Sequence, residues 1–139
     1  MRRVLTYGTF DLLHYGHIRL LKRAKALGNY LIVGLTTDEY NVLNHNETFH
    51  SYEKRKDMLE ALRYVDLVIP VDNNTNKIDD IKDYKVDTII MGEDYAGNAE
   101  YEALKEYCNV IYLDRTDGVS TDEIIGYLNN KKKNSEEMK

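Results

Sequence analysis

Five short apolar runs, separated by stretches with helical spacing, constrain this chain more than any other feature. The runs cover residues 4–6, 30–35, 67–71, 88–91 and 110–113. Each is rich in β-branched or aromatic residues and about as long as a strand buried on both faces. Between them, Ile18, Leu21 and Ala24, with Leu20 and Leu27, mark one face of a helix. Met58, Leu59 and Leu62 mark a second, which opens near Ser51, a residue suited to an N-cap. Ile78 with Ile81, and Ala103 with Leu104 and Tyr107, mark two more, and a last helix is predicted from Thr121 to about Tyr127 or Leu128. Strand and helix in alternation predict an α/β fold, a parallel sheet with helices on both faces. Ligands of such sheets lie at the carboxyl ends of the strands, near the point where strand order reverses. The residues that follow each strand are therefore the ones to search.

Length and composition fit one such domain. The 139 residues are enough for a single hydrophobic core. The domain is expected over residues 1–129, with residues 130–139, mostly lysine, glutamate and asparagine, as a flexible tail. A net charge of −5, with no basic run and no recognition motif, argues against nucleic-acid binding. No apolar stretch approaches the roughly 18 residues of a membrane span, and the opening MRRVLTYGTFD lacks the apolar core of a signal peptide. The lone Cys108 cannot form an internal disulfide and suits a reducing compartment. The expectation is a cytoplasmic domain with no membrane insertion.

Two loops carry the chemistry. After the first strand comes Tyr7-Gly8-Thr9-Phe10-Asp11-Leu12-Leu13-His14-Tyr15-Gly16-His17, and then a helix. Gly8 is expected to let the backbone turn where a side chain would block a ligand, and Gly16 to allow close approach at the helix start. His14 and His17, three residues apart, both face the helix opening. The free backbone N–H groups and the helix dipole there favour an anion. Read alone, the pair fits an ordinary helix start as well as a polyphosphate receptor. A zinc site lacks a third and fourth ligand, since Cys108 and His50 stand apart and no H-E-x-x-H pattern occurs. After the fifth strand comes Arg115-Thr116-Asp117-Gly118-Val119-Ser120-Thr121. Arg115 is suited to grip phosphate oxygens with its fork, and Ser120 and Thr121 are suited to donate to them or to cap the next helix. Two anion-receptive loops at the strand ends of one sheet are unlikely to arise by chance.

These residues resemble a known family. His14-Tyr15-Gly16-His17, preceded by Tyr7-Gly8-Thr9-Phe10-Asp11, resembles the HxGH signature of the small nucleotidyltransferases. RTDGVST at residues 115–121 is similar to the RTEGIST signature of bacterial glycerol-3-phosphate cytidylyltransferases. Thr36-Thr37-Asp38-Glu39, Ser51-Tyr52-Glu53 with Arg55-Lys56, Arg63-Tyr64-Val65-Asp66 and Met91-Gly92-Glu93-Asp94-Tyr95 agree with it too. The likeness runs over roughly residues 1–125.

The resemblance implies a Rossmann-like single domain, a homodimer, Mg²⁺ supplied with CTP, and synthesis of CDP-glycerol from CTP and sn-glycerol 3-phosphate for teichoic-acid-type polymers. By position it implies CTP contacts from Thr9, Phe10, Asp11, His14, Gly16, His17, Arg63, Gly92, Asp94, Arg115, Thr116, Gly118, Val119, Ser120 and Thr121. His14, His17 and Arg115 would be the catalytic residues, and Lys77, Arg55 and Asp38 would serve the phosphoalcohol. Asp11 is a candidate for helping to hold Mg²⁺ and equally for accepting a backbone amide. One departure stands out: the family's loop lysines are missing from Asn41-Val42-Leu43-Asn44-His45-Asn46-Glu47. The alternatives are a cytidylyltransferase for another phosphoalcohol, or a nucleotide-binding homologue with reduced activity.

Overall fold

A computed structural model describes residues 1–114 of the chain. Five strands form one parallel sheet: β1 (Arg3–Gly8), β2 (Tyr30–Thr36), β3 (Leu67–Val71), β4 (Thr88–Gly92) and β5 (Asn109–Leu113). Their order is β3-β2-β1-β4-β5, so strand order reverses between β1 and β4. Leu5 of β1 lies opposite Ile32 on one side and Ile89 on the other. Each of the five predicted runs is a strand, with ends displaced by no more than two residues. Pro70, which has no N–H to give a ladder, sits on the edge strand β3.

The helices are α1 (Tyr15–Ala26), α2 (Asp38–Leu43), α3 (Tyr52–Glu60), α4 (Lys77–Asp83) and α5 (Ala99–Ala103), with 3₁₀ turns at Glu93–Tyr95 and Leu104–Glu106. Alternating residues along each strand feed two cores. Val4, Leu31, Val33 and Leu35 pack with Leu21 and Ala24 of α1 and Leu59 of α3. Leu5, Tyr7, Ile32, Ile69 and Val71 pack on the other side with Ile81 of α4 and Tyr101 of α5. Both faces are thereby covered, as a parallel sheet requires.

Two helices depart from the sequence expectation. The inner face of α3 is Arg55 and Leu59, four residues apart, whereas Met58 is exposed. An arginine there hides from any apolar count, and its partners explain its burial below. Short α2 falls between the elements that the spacing predicts, and Thr37 caps it by accepting from the Tyr40 amide. Its buried residue is the polar Asn41, while Val42 and Leu43 are exposed. The predicted helix from Thr121 and the tail at 130–139 lie outside the described residues.

Candidate active site

The β1–α1 loop is shaped by packing as much as by glycine. A Cβ on Gly8 would come within 2.7 Å of the Phe10 ring, so the missing side chain makes room for Phe10. The sharp turning falls instead on Phe10 (φ 48°) and Leu12 (φ 49°), both in the left-handed region that costs a branched or bulky side chain energy. Phe10 is held in place by burial, at 6% exposure. The Thr9 hydroxyl, just past the strand, accepts from the Thr36 hydroxyl at 3.1 Å and the Asn46 amide at 3.4 Å.

His14 is the N-cap of α1, and the two histidines form a reciprocal capping box. His14 Nδ1 accepts from the Gly16 amide at 3.0 Å, and His17 Nδ1 accepts from the His14 amide at 3.3 Å. A neutral imidazole that accepts at Nδ1 carries its proton on Nε2. The caps therefore fix the tautomer of both rings. The rings stack with centroids 3.8 Å apart, and the Phe10 ring lies 5.3 Å from that of His17. Burial, and then the neighbouring His14, push the His17 pKa down to about 4, with Asp11 pulling weakly the other way. His17 is thus a neutral N–H donor at physiological pH.

That depressed pKa has a stability signature. As pH falls from about 6.5 to about 4, the unfolded chain takes up a proton at His17 that the folded chain refuses. Stability from this group is complete above the unfolded pKa and is lost as pH falls towards the folded one. Thermal melts across that window should show the loss. His17→Asn, whose side-chain oxygen can still accept from the His14 amide, should flatten it, and an unchanged slope would assign the loss to other groups.

Asp11, Asp38 and Arg55 knit the loop at 48–51 to the β1 end. The Asp11 carboxylate accepts from the amides of Phe49 (2.6 Å) and His50 (3.0 Å). Arg55, with its side chain fully buried, donates to the carbonyls of Thr9 (2.9 Å) and His50 (3.1 Å) and to Asp38 (3.0 Å). Asp38 also accepts from the Tyr52 amide at the start of α3. These three residues spend polar atoms on the scaffold. Among the described residues no group of three or more His, Cys, Asp or Glu is arranged to hold a metal ion. Both Asp11 oxygens accept backbone amides, so its carboxylate serves the scaffold of this loop.

Lys77 opens α4 at the carboxyl end of β3. It pairs with Glu100 at 2.6 Å, and its ammonium lies over the rings of Tyr7 (5.1 Å) and Tyr101 (5.7 Å). Tyr7, which was not singled out, donates to Asp80 at 2.8 Å, and burial and then that carboxylate push its phenol pKa far up. Gly92 ends β4 and Asp94 lies exposed in the turn after it, both at the ligand-binding end of the sheet. Arg63 does not join them. It is exposed in the connection between α3 and the amino end of β3, where its guanidinium donates to the Tyr64 hydroxyl. The neighbouring Asp66 accepts from the Leu31 amide near the start of β2, which fixes that connection to the amino end of the strands, opposite the end that carries the histidines. Arg115, Thr116, Gly118, Val119, Ser120 and Thr121 lie outside the described residues. Asn41, buried in α2 between Tyr40 and Val42, is a polar residue that an apolar pattern does not report.

A cytidylyltransferase-like family model matches residues 5–135. The glycerol-3-phosphate cytidylyltransferase of Staphylococcus aureus is 55% identical over 124 residues, covering 89% of this chain and 92% of its own. The Bacillus subtilis enzyme of the same name is 52% identical, covering 89% and 95%. The crystal structure of a lipopolysaccharide core biosynthesis protein from Thermoplasma volcanium superposes with a TM-score of 0.74 at 27% identity, over 84% of this chain and 99% of that one.

Proposed function

The chain belongs to the cytidylyltransferase-like family, and from that premise we propose that it transfers the cytidylyl group of CTP to sn-glycerol 3-phosphate, giving CDP-glycerol and pyrophosphate. The observation that carries this reading is the kinship above with two glycerol-3-phosphate cytidylyltransferases, at more than half of the aligned residues and across nearly the whole chain. The geometry suits it. An oxygen of the acceptor's phosphate attacks the α-phosphorus in line. A new P–O bond forms, the α–β bridging bond breaks, and pyrophosphate departs with that electron pair. The acceptor's second pKa near 6 leaves it ionised at neutral pH, so no protein base is needed.

The protein's task is then alignment and charge stabilisation. We assign the Nε2–H groups of His14 and His17 to phosphate oxygens of CTP, with Gly16 and the start of α1 behind them. Thr9 and Phe10 shape the same wall, and Gly92 and Asp94 the side towards the nucleoside. Arg115, Ser120 and Thr121 would hold the leaving pyrophosphate, with Thr116, Gly118 and Val119 completing that loop. Mg²⁺ would be carried by CTP, with Asp11 as the residue here that would help to hold it, and would supply neutralisation of the phosphate charge. Lys77 is the cation we assign to the acceptor phosphate, exchanging Glu100 for it. Asp11, Asp38 and Arg55 act as positioning residues, and Arg63, which donates to the Tyr64 hydroxyl, is given no part in the transfer. A homodimer, a cytoplasmic location and a product destined for teichoic-acid-type polymers complete the proposal. No helix among the described residues is long and apolar enough to cross a membrane.

Pyrophosphate release from CTP with a panel of phosphoalcohols tests the assignment. Glycerol 3-phosphate is expected to react fastest; a faster phosphoethanolamine reaction would move the substrate, and silence across the panel would leave a nucleotide-binding homologue. The lysine-free loop gives a second test. Asn44 donates to the Tyr40 carbonyl at the end of α2, and Asn46 to Thr9, so both asparagines serve the scaffold. A charge-assisted hydrogen bond contributes roughly 1.5–3 kcal/mol, and 1.4 kcal/mol is about tenfold. Asn44→Lys with Asn46→Lys should therefore lower KM for glycerol 3-phosphate about tenfold, with KM for CTP unchanged. An unchanged value would mean that Lys77 or His45 already supplies the charge.

A further inference from the structure

Gly34 stands in the middle of the buried strand β2, where a glycine loses packing and costs backbone entropy. A Cβ there would come within 2.4 Å of the ring of Tyr7, its register partner on β1. The gap fixes that ring. Tyr7 is 7% exposed, and its hydroxyl donates to Asp80 at 2.8 Å. Burial, and then that carboxylate, push the phenol pKa far up, so the group stays a donor across the physiological range. Tyr7 is the second-last residue of β1, beside the crevice where strand order reverses. A ring held so firmly there, at the cost of a glycine in a strand, marks a task beyond packing.

That task is to seat Lys77. Its ammonium lies 5.1 Å from the centre of the Tyr7 ring and 5.7 Å from that of Tyr101. Tyr101 is itself buried and braced edge-on by Tyr95, with ring centres 5.4 Å apart. The Lys77 side chain is 15% exposed, whereas that of its partner Glu100 is 59% exposed. The cation is therefore enclosed, while its counter-ion stands at the rim and can turn into water at little cost. A second carboxylate, Asp80, is close enough to feel the ammonium and lies three residues on along α4, a spacing at which helix side chains pair. The Tyr7 hydroxyl holds it instead. Lys77 keeps the more exposed of the two partners.

We propose that Tyr7 and Tyr101 are positioning residues for the transfer: their rings seat the Lys77 ammonium, and the Tyr7 hydroxyl keeps Asp80 off it, so that the acceptor's phosphate has only Glu100 to displace. The proposal rests on the glycerol 3-phosphate reading above, with Lys77 as the acceptor's cation. An ammonium held between rings is already in place when the phosphate arrives, and little side-chain freedom is left to lose on binding. The part of the Tyr7 hydroxyl is distinct from that of its ring, and one substitution removes the first while keeping the second.

Steady-state kinetics with CTP, Mg²⁺ and glycerol 3-phosphate test it. Tyr7→Phe releases Asp80 to Lys77, so KM for glycerol 3-phosphate should rise about fivefold, the scale of one part-buried ion pair. Adding Asp80→Asn to that variant should return KM to within about twofold of wild type, a rescue that lost packing would not give. Tyr101→Leu should raise KM about fivefold and Tyr101→Phe, which keeps the ring, should not. Throughout, kcat and KM for CTP should change by less than about twofold. An unchanged KM in Tyr7→Phe or Tyr101→Leu, or no rescue by Asp80→Asn, overturns the proposal while leaving the reaction intact. Absence of wild-type turnover with glycerol 3-phosphate overturns the functional reading itself. In that case, or should the variants fail to fold, the side-chain methylene resonances of Lys77 in labelled wild-type protein decide. They should lie upfield of those of the other lysines, from the ring currents, and move on adding inorganic phosphate. Resonances that fail either test overturn the seat.

Discussion

His14→Ala and His17→Ala should each lower turnover by about 10²–10³, the cost of removing one preorganised donor from a developing charge. Alanine also removes a cap, however, and an N-cap lost to alanine costs about 0.5–2 kcal/mol of stability. The two effects separate because the cap uses Nδ1, whereas the proposed phosphate contact uses Nε2. Asn at either position can replace the Nδ1 acceptor but stops short of where Nε2 reaches. His14→Asn and His17→Asn should therefore melt close to wild type and still lose turnover, with CTP affinity within a few-fold. Near-wild-type turnover in the asparagine variants would reduce the pair to a helix cap.

The largest stability loss should come from Arg55. Its buried guanidinium bridges the Thr9 carbonyl, the His50 carbonyl and Asp38, joining β1, the 48–51 segment and α2. Breaking a buried pair costs about 3–5 kcal/mol, and the half-exposed side chain of Asp38 points to the lower end. Arg55→Ala should then lower the melting temperature by about 10 °C, judged from the usual change per kcal/mol for a domain of this size. Arg55→Lys should not restore it, because one ammonium cannot span three acceptors laid out for a planar fork. A melting temperature within 2–3 °C of wild type, roughly the shift of 1 kcal/mol, would mean that the three acceptors find other donors.

The three inner strands, β1, β2 and β4, were legible in the sequence because they are buried on both faces and appear as continuous apolar runs. Helix α1 was legible from the helical spacing of Ile18, Leu21 and Ala24 on one face. What escaped notice was polarity turned inward. Arg55 on α3 and Asn41 on α2 occupy buried positions that an apolar pattern cannot report. The histidine pair was visible as spacing, but the stacking and the two Nδ1 caps depend on Phe10 and Leu12 adopting a left-handed backbone, which neither residue type announces. Gly8 was noticed for a turn it does not make. Arg63 was named by likeness of sequence, and the fold sets it in the connection that enters the amino end of β3.

The strand order bears on how the chain is assembled during synthesis. β1 emerges first and takes the central place, yet its two neighbours arrive at very different times. Val4 meets Leu31 within the first third of the chain but waits for Thr88 on its other side. The β1–β2–β3 half can therefore close on the ribosome, with one flank of β1 unpaired until β4 is made. Long-range parallel pairing of this kind is slow, and an open strand edge invites intermolecular pairing meanwhile. The nascent chain is thus most vulnerable between about residues 71 and 88, and a pause there would favour aggregation more than a pause anywhere later.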